Sequence, residues 1–454
     1  MKNLFAPTDM TIGKPWKAII SFSIPMLIGN IAQQLYSTVD SIVVGHYVGD
    51  NALASVGSVL PIINMLLVLF IGISAGASIM VSQYFGAKNR EKLSITIGNC
   101  ITVTAIVSII MMIISPPFAR IILSALNTPP EIIDGCTQYL VISMVGIAGM
   151  AYYNILSGII RGMGDSISAL VYLLVATVIN IILDLWFVSS MGVAGVALAT
   201  IISQFISSAL CLLKLKKMKE FFDLTPTSLK PQKECVKTLV KLGLPSGLTQ
   251  AIMSSAMIIV QALTNQFGAQ FIAANIIVMR VDGFAMMPNL SFGMAMTTYA
   301  GQNIGAKKMD RVITGARDGL IISVICSTVI TGTILLFGKY LMMAFTDTKE
   351  LVDLSVKLMR ILAAGYIAMA VTQSLGGIMR GAGDTVTPMW ITLITTIFMR
   401  IPLAYGISFI TRSPEFPLGY KECIQISLLI TWIMGALLTT IFYLKGKWKT
   451  KALN

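Results

Sequence analysis

The sequence predicts an all-α membrane protein of about twelve transmembrane helices, in two six-helix lobes related by a pseudo-two-fold axis along the membrane normal. Three observations predict it. First, 56% of the 454 residues are hydrophobic and 12% are charged, against about 25% charged in an ordinary soluble domain. That is too little polar surface to clothe a water-soluble protein of this size. Second, apolar runs long enough to cross a hydrocarbon core of about 30 Å recur along the chain. Third, two loop motifs repeat at one fixed spacing.

The apolar runs begin near Trp16, Ala52, Leu93, Gln138, Ile167, Val193, Val236, Phe271, Val312, Leu354, Val386 and Ile424. The links between them alternate in character. One set is basic: Lys88, Arg90 and Lys92; Arg161; the segment from Lys214 to Lys233; Lys307, Lys308 and Arg311; Arg380; and the tail from Lys445 to Lys451. The other set, such as His46 to Asp50, Val188 to Met191 and Gln266 to Gln270, is nearly free of Lys and Arg. Because positive loops stay in the cytoplasm, the basic set and both termini are expected inside and the helix number even. The stretch from Met1 to Pro15 is polar, with no apolar core ahead of a small-residue cleavage site, so the first helix is expected to act as the insertion signal.

Gly86-Ala87-Lys88 returns as Gly305-Ala306-Lys307, and Arg161-Gly162-Met163-Gly164-Asp165 returns as Arg380-Gly381-Ala382-Gly383-Asp384, both 219 residues later. Gln83 with Gln302 and Gly49 with Gly268 keep the same register. One shared spacing for four pairs marks a duplicated six-helix unit. The expected lobes are 1–215 and 235–454, joined by a cytoplasmic linker 216–234 that holds Pro226 and Pro231. The repeated motifs are expected to be helix-end turns, Gly86 and Gly305 permitting the turn while Lys88, Lys307, Arg161 and Arg380 reach headgroup phosphates and Asp165 and Asp384 close the second motif.

The net charge of +13 is spread over these short links rather than along one helix face, which excludes a nucleic-acid partner and fits a topological role beside the lipid bilayer. Six cysteines, Cys100, Cys136, Cys211, Cys235, Cys326 and Cys423, show no CxxC pairing, so neither a disulfide framework nor a bound metal is expected.

Charged groups inside a bilayer are costly, which makes each one a functional candidate. The candidates are Asp40, Asp184, Asp282, Arg280, Arg360 and Arg400. With the topology above, Asp40 on the first helix and Asp184 on the fifth lie at matching depth near the outer surface. Asn180 precedes Asp184 by four residues and shares its helix face, and Thr200 returns on the sixth helix. A cluster of this kind can bind a proton, because desolvation and a neighbouring carboxylate disfavour ionisation, or its oxygens can ligate Na⁺. In the second half, Asp282 and Arg280 are two residues apart and do not face each other on a helix, so one of them is expected to pair with Arg400 in a structural ion pair between helices. His46, the only histidine, falls at an outer helix end. Pro25 breaks the hydrogen-bond ladder of the first helix and permits a hinge there, with Pro245 in the matching place of the seventh.

Together Pro25, Asp40, Gly86-Ala87-Lys88, Arg161-Gly162-Met163-Gly164-Asp165, Asn180, Asp184 and the second copies of both loops resemble the multidrug and toxic compound extrusion (MATE) family over nearly the whole chain. The resemblance implies two six-helix lobes around a cavity that opens alternately inward and outward, exporting organic cations and other amphipathic drugs in exchange for H⁺ or Na⁺. It implies that Asp40, Asn180, Asp184 and Thr200 form the coupling cluster and that the first helix bends at Pro25. A second branch of the family couples through acids on helices seven and ten. Here helix seven reads Thr249-Gln250-Ala251-Ile252-Met253 and helix ten carries no acid between Asp353 and Ser374, which points to the N-terminal lobe. No cofactor is implied beyond the transported ion, one chain contains the whole pathway, and the expected location is the plasma membrane. A flippase for lipid-linked sugars or phospholipids is the alternative, but it needs several inward cations to hold a pyrophosphate. An intramembrane enzyme is disfavoured, because no nucleophile-base pair or HExxH or GxSxG motif lies within the helices.

Overall fold

The structure is a computed structural model. It describes residues 6–126 and 128–453, apart from the side chains of Tyr36, Ser37, Val39, Asp40, Ser41, Ile42, Asp50, Asn51 and Leu53. The described residues form helices and no strand.

Ten helices are long and apolar enough to cross a membrane, and two bent pairs raise the number to as many as twelve. In order these are α1 (Pro15–Tyr47), α2 (Asp50–Gly86), α3 (Arg90–Ile114) with the short α4 (Ala119–Ala125), and the bent pair α5 (Pro130–Val145) and α6 (Ile147–Gly162). Next come α7 (Ser166–Met191), α8 (Val193–Lys217) and the single turn α9 (Pro226–Leu229). The second half runs α10 (Lys233–Gln266), α11 (Ala269–Gly305), α12 (Met309–Met343), the bent pair α13 (Lys349–Ala363) and α14 (Gly365–Gly381), then α15 (Val386–Leu393), α16 (Ile401–Ile410) and α17 (Cys423–Leu444). The starts agree with the apolar runs to within a few residues except at the fourth. There the helix begins at Pro130 rather than near Gln138, because Glu131 and Asp134 interrupt the apolar run. Pro130 suits a first helical position, where its missing N–H is not needed.

The duplication is written into the backbone. α2 and α11 each have 37 residues and start and end 219 residues apart. The bends, 51° between α5 and α6 and 43° between α13 and α14, fall at Gly146 and Ala364, within one position of the same interval. Left-handed φ values repeat too, at Lys88 (53°) and Lys307 (57°) and at Gly164 (89°) and Gly383 (93°). The expectation that Gly86 and Gly305 make the first turn is corrected: both end their helices, and the left-handed residue is the lysine two positions on. Gly162 and Gly381 serve packing instead. A Cβ on Gly162 would meet Ser78 O on α2 at 2.8 Å, so only a small residue lets α6 approach that closely, as is usual where helices pack in lipid.

The chain divides into two compact units, one of residues 1–9 and 24–247, the other of residues 10–23 and 248–454. The lobes expected from connectivity thus differ from the units defined by contact, whose boundaries fall inside α1 and α10, within two residues of Pro25 and Pro245 respectively. The reason is local. In unit 1 the first half of α10 lies against α2 at a glycine crossing, where a Cβ on Gly72 would sit 2.7 Å from Gly243 O. In unit 2 the segment ahead of α1 is clamped: Gln302 accepts from the Met10 N–H at 2.8 Å, Lys308 donates to Thr11 O at 2.9 Å and Arg311 to Gly13 O at 2.9 Å. The linker is docked in the corresponding way on unit 1, where Asn99 accepts from the Gln232 N–H at 2.6 Å and Thr102 donates to Leu229 O at 2.7 Å.

Each unit has its own core. In unit 1 it joins α1, α2, α5, α7 and α8 through residues such as Val44, Val59, Leu140, Val188 and Val196. In unit 2 it runs through Ala274, Val278, Leu358, Tyr366 and Trp432. Large apolar side chains face outward, among them Met65, Ile258 and Leu336, each at least 70% exposed.

Candidate ion and ligand sites

In unit 1, α7 and α8 form a tight hairpin turning at Gly192, whose φ of 55° an L side chain rarely adopts. The hairpin brings Thr200 on α8 back beside Asn180 on α7. Asp184 is 1% exposed, Asn180 fully buried and Thr200 nearly so. With the Asn180 amide turned so that both ends are satisfied, its Nδ2 donates to Asp184 Oδ2 at 2.9 Å and its carbonyl oxygen accepts from the Thr200 N–H at 3.3 Å. Three of the four residues expected in the coupling cluster are therefore together. The fourth, Asp40, lies outside the described residues. Burial among apolar helices makes a charge on the Asp184 carboxylate costly.

Pro25 lies in α1, which continues as one helix through it. The motif acids are helix caps. Asp165 accepts from the Ser168 N–H at 2.9 Å and the Ser168 hydroxyl at 2.7 Å and pairs with Lys214 at 3.2 Å. Asp384 accepts from the Thr387 N–H at 3.2 Å and hydroxyl at 2.7 Å. Each satisfies a first-turn donor that the helix itself cannot. Lys88 and Lys307 are exposed, whereas Arg161 and Arg380 are half-buried, so of the four basic groups expected to reach headgroups only the lysines project freely.

The polar set expected in the second half is corrected. Arg280 and Arg360 are exposed, and neither Arg280 nor Arg400 makes an ion pair with Asp282 among the described residues. Residues two apart on a helix face different ways, so Arg280 turns outward when Asp282 turns in. Asp282 Oδ1 instead accepts from the Tyr366 hydroxyl at 2.9 Å. Arg400 sits at the end of a π-helical stretch, Ile394–Arg400. Pro402 just beyond has no N–H to continue the α-helical ladder, which accounts for the wide turn there. Asp282 and Arg400 share the lining of one cavity with Gln425, Asn275 and Trp432. Tyr366, Gln425 and Asn275 were not singled out by the sequence, where they are neutral polar residues within apolar runs. His46 is exposed at the end of α1. Among the described residues no group of three metal-ligating side chains converges, and all six cysteines are free.

A body of ten to twelve apolar spans with carboxylates and carboxamides buried among them defines a multi-span membrane transporter. A family model, MatE, matches residues 25–186 and again 245–406, and the chain belongs to the MatE family. It is similar to "Probable multidrug resistance protein YoeA" of Bacillus subtilis, 29% identical over 92% of each chain, and to "Probable multidrug resistance protein NorM" of Thermotoga maritima, 25% identical over 96% of this chain and 94% of the other. The crystal structure of MATE in the bent conformation shares the fold, with a TM-score of 0.89 over 96% of both chains at 24% identity. The double match to one family model recovers the duplication.

Proposed function

We propose that the protein is a cation-coupled antiporter that exports organic cations and other amphipathic drugs by alternating access, with H⁺ or Na⁺ as the returning ion. The observation that carries this reading is the buried Asp184 carboxylate held by Asn180 beside Thr200. Such a group gains or loses a charge at a position where charge is expensive. The multidrug-resistance names of the relatives support the drug class. The placement of the basic links supports both termini in the cytoplasm, and the family supports the plasma membrane as the location. The pathway fits within one chain, so a monomer suffices.

The outward-open state loads the ion on Asp184 and, by the sequence reading, Asp40. Neutralising the cluster lets the helices around it close, and closure expels the drug. One ion exchanged for one monovalent drug moves no net charge, so only the ion gradient drives it. Loading a second ion adds the membrane potential, about 2.3 kcal/mol per 100 mV.

The test uses purified protein in liposomes loaded with ethidium, with a pH or a Na⁺ gradient imposed separately. Ethidium movement under one gradient, lost in Asp40→Asn, identifies the ion and upholds the reading. Absence of movement under both, with a labelled lipid-linked sugar crossing instead, replaces it with a flippase.

A further inference from the structure

The cavity within unit 2 has a volume of about 210 Å³. Its wall is largely apolar, with five methionines, Met253, Met257, Met279, Met286 and Met369, and Trp432. Three polar groups in this wall have bonding capacity that the described residues leave unused. Asp282 commits Oδ1 to the Tyr366 hydroxyl and leaves Oδ2 without a hydrogen bond. Arg400 donates through Nε to Thr431 Oγ1 at 3.4 Å and leaves both Nη groups uncommitted. Gln425, 2% exposed, commits its Nε2 to Asn275 Oδ1 at 2.8 Å and leaves Oε1 buried with no partner.

A buried acceptor without a partner costs about 1–3 kcal/mol, and this carboxylate and guanidinium attract each other across the cavity without closing to a direct ion pair. Each is the arrangement expected of a site whose ligand completes it. The charges decide the class. A simple cation satisfies Asp282 and Gln425 but meets Arg400, and a simple anion satisfies Arg400 but meets Asp282. A molecule with both charges satisfies all three. Cavity size and wall decide the rest: an apolar cavity of about 150 Å³ holds benzene, and methionine sulfur packs well against ring edges.

We propose that this cavity is a binding site for a small aromatic zwitterion of the aromatic amino acid class, separate from the ion cluster of unit 1. The ammonium is received by Asp282 Oδ2 and Gln425 Oε1, and the carboxylate by the two Nη groups of Arg400 in the bidentate geometry that a guanidinium offers. The ring lies among the methionines and Trp432. Such a ligand lies outside the organic-cation class of the proposed transport, and its binding needs no gradient.

The test is equilibrium binding to the purified full chain in nanodiscs, by calorimetry, with three probes that share one ring: L-tryptophan, tryptamine and indole-3-propionate. The expected result is that tryptophan binds at least tenfold more tightly than either singly charged probe. Arg400→Gln then weakens tryptophan tenfold or more and narrows its advantage over tryptamine, and Asp282→Asn does the same relative to indole-3-propionate. Met286→Trp, which adds bulk at a half-buried wall position and leaves the polar groups in place, abolishes tryptophan binding. Equal binding of the three probes, no tryptophan binding by the intact protein, or tryptophan binding that survives Met286→Trp would each overturn the proposal. Ethidium flux is not the readout, so failure here is distinguishable from failure of the antiport reading.

Discussion

The two units share a scaffold and differ in their chemistry. The bounds of α2 and α11, the left-handed lysines and the capping aspartates recur at an interval of 219 residues, and the bends at Gly146 and Ala364 fall within one position of it. The buried polar groups do not. The counterpart of Asp184 is Leu403, that of Asn180 is Met399, that of Asp282 is Ile63 and that of Arg400 is Ile181. Among the described residues, unit 1 buries Asp184 beside Asn180 and Thr200, while unit 2 sets an acid and a base around a cavity. In this chain, residues present in both copies build the frame, and buried polar residues present in one copy mark where the halves have diverged in task.

The largest stability effect expected from that contrast is at the frame. Gly162→Val and Gly381→Val each force α6 from α2, or α14 from α11, and each should cost about 3 kcal/mol by overpacking, seen as a lower melting temperature in detergent. The two costs should be similar because the crossings are repeats. At the ion cluster, Asn180→Leu removes the donor to Asp184 Oδ2 and should cost the ionised form about 1.5–3 kcal/mol, the range for a hydrogen bond to a charged group. This should read as a tenfold or greater shift in the ion concentration needed for half-maximal flux. The counterpart change Met399→Leu should leave flux intact. Loss of a cap is smaller: Asp384→Ala should cost about 1 kcal/mol and Asp165→Ala more, since it also leaves Lys214 without its ion pair. Equal losses at the two positions would show that the Lys214 pair contributes nothing.

The smallest effect is at the exposed pair of Arg90 and Asp223, where two hydrogen bonds of 2.8 Å hold the Asp223 carboxyl below its ordinary range. A depressed carboxylate contributes stability above its unfolded-state value and loses it as pH falls through the folded-state value. Arg90→Ala should therefore leave thermal stability nearly unchanged at neutral pH and flatten the acid limb of the melting-temperature profile slightly. A large loss at neutral pH would mean that the linker bonds of Arg90 to Lys219 O and Glu220 O matter more than the ion pair.

Much of the frame was visible in the sequence, because span length, basic links and a constant repeat interval are one-dimensional signals. The fourth span was misplaced since Glu131 and Asp134 hid its first turns, and only the bend at Gly146 shows why so long a segment crosses as two pieces. At the sites, Asn180 and Asp184 could be joined because a spacing of four shares a helix face, and Thr200 because a hairpin at Gly192 returns it to their level. The unit 2 arrangement was half visible. Asp282 and Arg400 stand out as charges, but Tyr366 and Gln425 are neutral residues on distant helices whose convergence depends on the bend at Ala364 and the packing of α17. The ion pair expected with Arg400 is not formed among the described residues, and Asp282 bonds the Tyr366 hydroxyl instead.

The central claim is that the ion is coupled in unit 1 and not in unit 2. It is tested most directly by gradient-driven ethidium flux in liposomes bearing Asp184→Asn or Asp282→Asn at matched protein density. The account predicts flux reduced to the protein-free background in Asp184→Asn and retained within about twofold in Asp282→Asn. Flux that survives in Asp184→Asn and disappears in Asp282→Asn would contradict it and move the coupling site to unit 2.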